Sequence, residues 1–244
     1  MNKKRSPNHI AIIMDGNRRW AANNKLKAVA GHKKVVTDLM ERLIDYAARV
    51  GIKQITFWAW NFNNWKRPKP EIEAVMNLFR LALGEYAEKI VKKGARVRII
   101  GDYQKFPNDI REGLDKLIED SKGNSKIDVT MALNYGGRDE LLRAVKNLSE
   151  AISNDEFLIS NLNEKGFSQF LDTAGLTDPD LIIRTGGNKR LSGFLPWQSE
   201  HSELYFTDTL MPDFNEDEFD KAIKDYQERS RRFGGGRFED YQSK

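Results

Sequence analysis

Six short β-branched runs alternating with longer amphipathic stretches predict an α/β protein. Its core would be a six-stranded, mainly parallel sheet flanked by helices on both faces. Two further observations agree. No internal repeat, linker or low-complexity tract divides the 244 residues, and three of the runs end in polar, arginine-bearing loops. In an open α/β sheet such loops fill the carboxyl edge, where ligands bind.

The run over 9–14 is compact and β-branched and stops at Asp15-Gly16-Asn17, so it reads as a strand entering a loop. From Lys33 the apolar spacing becomes that of a helix (Val36, Leu39, Met40, Leu43, Ala47), which Gly51 ends. A strand over 54–60 and a loop over 61–70 follow. The next helix is long, with Ile72, Val75, Met76, Phe79, Leu83, Tyr86 and Ile90 on its apolar face as far as Gly94. Strands over 97–100 and 127–133 bracket a helix over 107–121. Next come a helix over 140–152, a polar stretch with a short helix at 167–171, and strands over 181–183 and 203–206. The last helix takes Asn215 as N-cap with Glu218 three residues on, a capping-box pattern, and Phe219, Ile223 and Tyr226 as its apolar face. One domain is expected over 1–244, with an irregular tail from about Gly234.

Composition excludes several classes. With 39% hydrophobic and 31% charged residues the chain is no disordered segment, and without cysteine it has neither disulfides nor thiolate metal sites. No apolar run approaches the ~20 residues of a membrane span, and the run at 10–14 is too short for a signal peptide. A cytoplasmic protein is expected, with contact at a membrane surface left open. The balance of 40 Lys+Arg against 36 Asp+Glu suits a mixed solvated surface better than a polyanion-binding one.

Three loops carry residues suited to chemistry. Asp15-Gly16-Asn17-Arg18-Arg19-Trp20 sets a carboxylate, a glycine and two guanidiniums at a strand end. That combination suits a metal–diphosphate complex, and equally an Asp-Gly turn with solvated arginines. Arg184-Thr185-Gly186-Gly187 with Lys189, Arg190 and Ser192 forms either a diphosphate cradle or a basic surface loop. Asn64-Trp65-Lys66-Arg67 follows three aromatics, so it fits a lid, a stacking surface or the end of an aromatic core. His9, His32 and His201 show no metal-ligand spacing.

Together these segments resemble the cis-prenyltransferase family, of which undecaprenyl diphosphate synthase is the best-known member. The motifs keep their order along the chain: HIAIIMDGN at 9–17, Gly31-His32, NWKRP at 64–68, NYGGR at 134–138, Arg184-Thr185 with Arg190-Leu191-Ser192, Trp197-Gln198, SELYF at 202–206 and RRFGG at 231–235. The resemblance implies a homodimer with an apolar tunnel beside the sheet. It also implies an Mg²⁺-dependent enzyme that condenses isopentenyl diphosphate with an allylic diphosphate such as farnesyl diphosphate. By carry-over, Asp15 and Asn64 are catalytic, and Asp15 shares Mg²⁺ with Glu203. Gly16, Asn17, Arg18, Arg19, Trp20, His32, Trp65 and Arg67 serve the allylic substrate or the lid. Arg184, Arg190 and Ser192 hold isopentenyl diphosphate, and Arg232 with Gly234 forms a tail motif reaching across the dimer. The long helix over 71–93 is a candidate tunnel wall, or an ordinary core helix. Released product would bring the enzyme into passing contact with a membrane surface.

The chain departs from the family pattern mainly on the allylic side. Ala28 replaces an arginine, with Lys27 beside it; Val35 replaces a glycine; Asn61, Phe62 and Asn63 replace two small hydroxyl residues and a glutamate; Gly186-Gly187-Asn188 replaces Ser-Gly-Glu. An active enzyme with an altered primer or product length fits better than a non-catalytic subunit, since the carboxylate, both substrate arginines and the tail motif occur in one chain. A nucleic-acid module would need a continuous basic stripe, and acidic residues interrupt the basic ones, as at 213–220.

Overall fold

The structure, a computed structural model, describes residues 6–229. The expected tail motif, with Arg232 and Gly234, lies outside the described residues. The strands are β1 (His9–Ile13), β2 (Gln54–Asn61), β3 (Ala95–Ile100), β4 (Ile127–Tyr135), β5 (Leu181–Arg184) and β6 (Glu203–Phe206). They form one sheet in the order β3-β4-β2-β1-β5-β6, and every pairing is parallel. β1 at its centre is buried along its whole length, as an apolar strand covered on both faces must be.

Directly after β1 come α1 (Asn17–Asn23) and α2 (Val29–Lys34). α2 continues through a π turn, Val35–Leu39, into α3 (Met40–Arg49), so the helix expected from Lys33 begins one turn earlier. α1 was expected as loop; only Asn17 and Ala21 of it are buried, too few to leave a helical period. The loop at 61–70 contains a short 3-10 helix, Phe62–Lys66, closed by a capping box between Asn61 and Asn64. The long helix is α4 (Lys69–Leu81), a π turn at Ala82–Tyr86 and α5 (Ala87–Lys92). α6 (Asn108–Ser121) and α7 (Gly137–Ser153) follow expectation. The short helix α8 (Glu164–Ser168) stands earlier than expected, because the Asn163 side chain accepts the Gly166 N–H and starts it there. In α9 (Glu216–Glu228) the Asn215 side chain caps the Glu218 N–H as expected. The Glu218 carboxylate is engaged by Thr209 and Lys221.

One sheet face packs Ile10, Ile12, Ile55, Phe57, Leu181 and Ile183 against Leu39 of the π turn, Leu43 and Ala47 of α3, and Phe219, Ile223 and Tyr226 of α9. On the other face Ala11, Ile13, Trp58, Ile100, Ala132 and Tyr135 pack with Phe194 and Leu195. A third cluster joins Trp60 and Leu133 to α4 and α6. Trp58 and Trp60, two residues apart, would share a face in a regular strand. A bulge sets Trp58 opposite Ala132 and Trp60 opposite Leu133, so they separate. Trp58 stacks on Phe194 with centroids 4.8 Å apart, and Trp60 meets Trp65 edge-on at 5.1 Å. The bulge thus sends Trp58 and Trp60 into two different apolar clusters near the carboxyl end of β2.

Candidate active site

Because β1 and β5 are neighbours with Ile13 level with Arg184, the loops that follow them meet. Asp15 Oδ2 accepts from Arg184 Nη2 at 3.0 Å and from Asn188 Nδ2 at 3.0 Å, and Oδ1 accepts from Arg19 Nη2 at 3.3 Å. The Thr185 hydroxyl accepts from the Asp15 N–H at 2.9 Å and donates to its carbonyl at 2.7 Å, fixing the turn. Burial works to raise the Asp15 pKa. Hydrogen bonds from Arg184 and Asn188, with the arginine charges, outweigh burial and hold the carboxyl below its ordinary value. Asp15 is therefore a carboxylate at neutral pH.

Arg184 is only 6% exposed. Its Nη1 donates to the Arg190 carbonyl at 2.5 Å and to Ser192 Oγ at 2.8 Å, and its Nε has no partner among the described residues. Arg190 and Ser192 are exposed around it, Ser192 in a left-handed conformation (φ 55°). Two glycines are required here. Gly16 has φ 107° and a Cβ on it would stand 2.9 Å from Leu210; Gly186 has φ 81° and a Cβ there would meet Arg19 Nη2 at 2.5 Å.

The other side of the mouth is more open. Arg18 and Arg19 expose 61% and 52% of their side chains. Glu71 joins Arg67 (3.2 Å) to Arg18 (3.8 Å), and the Arg67 guanidinium lies over the Trp60 ring. Trp20 donates from Nε1 to Asp213 at 2.8 Å while Lys34 sits over its ring. His32 is driven down to about 4 by burial and by the Arg67 charge, so it is neutral at physiological pH. Asn17 is buried, donates to the Met14 carbonyl and leaves its own Oδ1 without a partner among the described residues. Trp65 anchors the 3-10 turn through Nε1 to Asn134 Oδ1 at 2.8 Å, and Asn64 Oδ1 accepts the Asn61 N–H at 2.9 Å. Ala28 is exposed on a cleft that it shares with Arg18, Arg19, His32 and Arg67.

From this mouth an apolar cavity of about 380 Å³ runs inward between the sheet and α3, α4 and α5, lined by residues such as Met40, Ile44, Phe79, Leu83, Ile90 and Val129. Asp15, Asn17, His32 and Arg67 border both the cavity and the cleft. One expected residue is not brought in. Glu203 is level with Leu181 and Ile10, five residues below Asp15 and so about 16 Å down the strands. It is paired with Arg229 at 2.8 Å, and a metal shared with Asp15 is not formed within one chain. No cluster of three acidic or imidazole side chains suited to a metal occurs among the described residues. Sequence reasoning missed Asn188 as a partner of Asp15, Glu71 as the acid between two arginines, and Asp213 under Trp20. Of these only Asn188 left a signal, as a departure within a motif.

A charged mouth at the carboxyl edge of a parallel sheet, opening into an apolar cavity, defines an enzyme for a molecule with an anionic head and a hydrocarbon tail. Residues 13–234 match the family described as putative undecaprenyl diphosphate synthase. The chain is 44% identical to an isoprenyl transferase of Aquifex aeolicus over 228 residues, 93% of this chain and 96% of that one. It is 40% identical to the Haemophilus influenzae ditrans,polycis-undecaprenyl-diphosphate synthase, which is (2E,6E)-farnesyl-diphosphate specific, over 94% of this chain and 95% of that one. Among solved structures it superposes on lavandulyl diphosphate synthase of Lavandula x intermedia, in complex with dimethylallyl diphosphate, with TM-score 0.90 and 31% identity, covering 94% and 98% of the two chains. A probable undecaprenyl diphosphate synthase of Campylobacter jejuni gives TM-score 0.76 and 35% identity, covering 94% and 99%. The chain belongs to the undecaprenyl diphosphate synthase family and is an isoprenyl transferase.

Proposed function

We propose that the enzyme condenses isopentenyl diphosphate with an allylic diphosphate such as farnesyl diphosphate to give a cis-polyprenyl diphosphate. The observation that carries this reading is the mouth itself. One ionised carboxylate stands between two groups of guanidiniums, and apolar space lies directly behind it. Isopentenyl diphosphate is assigned to Arg184, Arg190 and Ser192. The allylic diphosphate is assigned to Gly16, Asn17, Arg18, Arg19, Trp20, His32, Trp65 and Arg67, with its chain in the cavity, which then serves as the tunnel. Asn64 is placed at the meeting point of the two substrates.

Cleaving the allylic C–O bond moves negative charge onto the leaving diphosphate. Arg18, Arg19 and Arg67 favour that charge more than the ground state, which lowers the barrier. Apolar walls keep water from the developing allylic cation. Mg²⁺ fits this site through Asp15 alone, since a hard cation is commonly held by one carboxylate plus substrate phosphate oxygens. When bound, it would neutralise diphosphate charge. The Glu203 of the same chain is not assigned to it.

A homodimer is part of the proposal, supported by the apolar residues Leu142 (65% exposed) and Val145 (53%), three apart on α7. No helix among the described residues is long and apolar enough to cross a membrane. The cytoplasm, with brief contact at a membrane surface for product release, is the proposed setting.

The test is incubation of the enzyme with Mg²⁺, labelled isopentenyl diphosphate and geranyl, farnesyl or geranylgeranyl diphosphate, followed by chromatography. Label in a product longer than the primer is expected. No incorporation with any primer contradicts the proposal.

A further inference from the structure

Asn134 sits at the carboxyl end of β4, fully buried, and lines neither the cavity nor the cleft. Its backbone is left-handed, with φ 49°, a conformation that asparagine bears better than most residues. The side-chain amide makes two bonds of opposite sense. Oδ1 accepts from Trp65 Nε1 at 2.8 Å, and Nδ2 donates to the Asp102 carbonyl at 2.8 Å. An indole N–H only donates and a carbonyl only accepts, so the side chain between them must offer one acceptor and one donor.

Trp65 also lines neither the cavity nor the cleft, whereas Asn64 and Arg67 line the cavity. Its ring packs edge-on against Trp60 at 5.1 Å and Phe106 at 5.4 Å. Beside it, Lys105 of a neighbouring 3-10 turn, Tyr103–Lys105, lies 5.7 Å over the Phe62 ring. The 102–106 segment is itself set against the sheet: Gly101 has φ 98°, and a Cβ on it would stand 2.1 Å from the Leu133 carbonyl. The 3-10 turn Phe62–Lys66 thus rests on a firm seat, and Asn134 is the buried link between them.

We propose that Asn134 is a positioning residue for the reaction: through Trp65 it fixes the 3-10 turn on the 102–106 segment and so sets where Asn64 stands between the two substrates. This rests on the place given to Asn64 above. Asn64 Oδ1 accepts the Asn61 N–H at 2.9 Å, which closes the turn, so the direction of its Nδ2 follows from where the turn is held. Errors there are costly, since a misplacement of about 1 Å can lower a rate on the order of a hundredfold. Loss of the Asn134 amide leaves both the Trp65 N–H and the Asp102 carbonyl without their partner, and the turn is then free to settle elsewhere. Asn134→Gly keeps the left-handed backbone and removes only the amide; Trp65→Phe keeps an aromatic ring and removes the N–H.

The test measures kcat and both KM values, with Mg²⁺, labelled isopentenyl diphosphate and farnesyl diphosphate, for wild type, Asn134→Gly, Trp65→Phe, their double variant and Asn64→Ala. Tyr103→Phe, which breaks an exposed bond to Asp115 in the neighbouring turn, serves as control. Asn134→Gly and Trp65→Phe should each lose about tenfold in kcat, as for one buried hydrogen bond, with KM for isopentenyl diphosphate within about threefold of wild type. The double variant should fall within about twofold of the slower single one, since both remove the same tie. Tyr103→Phe should stay within about twofold of wild type. Unchanged kcat in Asn134→Gly overturns the inference. So do multiplying losses in the double variant, an equal loss in Tyr103→Phe or a parallel rise in isopentenyl KM, each the mark of general loosening. Hydrogen exchange of the 61–66 amides without substrate reads the tie alone. It should quicken in both single variants, and unchanged exchange overturns the tie even where kcat falls. Asn64→Ala at full rate overturns the route through Asn64. A wild type that elongates no primer refutes the proposed function instead, while exchange still reports the tie, so the two failures are distinguishable.

Discussion

The two sides of the mouth present guanidiniums in opposite ways. Arg184 is buried, its side chain 7% exposed, and is already tied to Asp15, Ser192 and the Arg190 carbonyl. Arg18 and Arg19, on the other side, stand more than half exposed. A buried arginine has given up its rotamer freedom on folding. An exposed one gives up as much as about 2 kcal/mol when the ligand orders it. Arg184 is thus preorganised by the protein, while Arg18, held only by a 3.8 Å pair with Glu71, is ordered by its substrate; Arg19 stands between them, exposed yet with Nη2 on Asp15 and on the Gly186 carbonyl. The departures from the family pattern gather mainly on the second side, at Ala28, Asn61, Phe62 and Asn63, with Asn188 on the first, where it donates to Asp15.

Asp15 bridges both sides, so its loss has the largest effect. Asp15→Ala is expected to lower turnover at saturating Mg²⁺ by more than tenfold while leaving circular dichroism unchanged. A variant keeping over a tenth of the rate would remove the case for a metal at Asp15. A smaller effect sharpens the contrast between the sides. Because Ala28 is exposed, Ala28→Arg should tighten allylic binding by only about 0.5–1 kcal/mol. If Lys27 already serves there, the gain vanishes and Lys27→Ala weakens binding instead. Binding of an allylic thio-diphosphate analogue checks both, and no change in either variant places the 25–32 segment away from substrate.

The smallest effect concerns pH. His32 sits at about 4 in the fold against 6.5 for an ordinary histidine. Between those values the unfolded chain binds a proton that the folded chain refuses, so stability falls as pH drops through the window. The contribution is fully present above 6.5 and lost on approaching 4. Denaturant melts of His32→Gln should show a shallower fall than wild type over this range. Equal slopes would mean that His32 is protonated in the fold.

The sequence made the strands legible because compact β-branched runs admit few other readings, and the long helices because their apolar rows hold period. What stayed hidden depends on register and on distant partners. Nothing in the order Trp58, Ala59, Trp60 announces a bulge, since it exists only relative to Ala132 and Leu133. Asn188 read as a lost acid, yet across 173 residues it donates to Asp15. Glu203 sits in a well-matched motif, but strand register sets it at the opposite end of the sheet from Asp15, beside Arg229. Motif order located the site; pairing decided which of its members touch.

The most direct test of two differently built sides is a pair of charge deletions, each measured on both substrates. Arg184→Ala removes charge-assisted contacts worth about 1.5–3 kcal/mol, so KM for isopentenyl diphosphate should rise tenfold or more while the allylic KM changes less than threefold. Arg19→Ala should do the reverse and more weakly, since its side chain is half exposed. Crossed effects of that size support the account. If Arg184→Ala raises both KM values equally, the Arg184 loop is not an isopentenyl diphosphate site, and the division of the mouth into two sides is wrong.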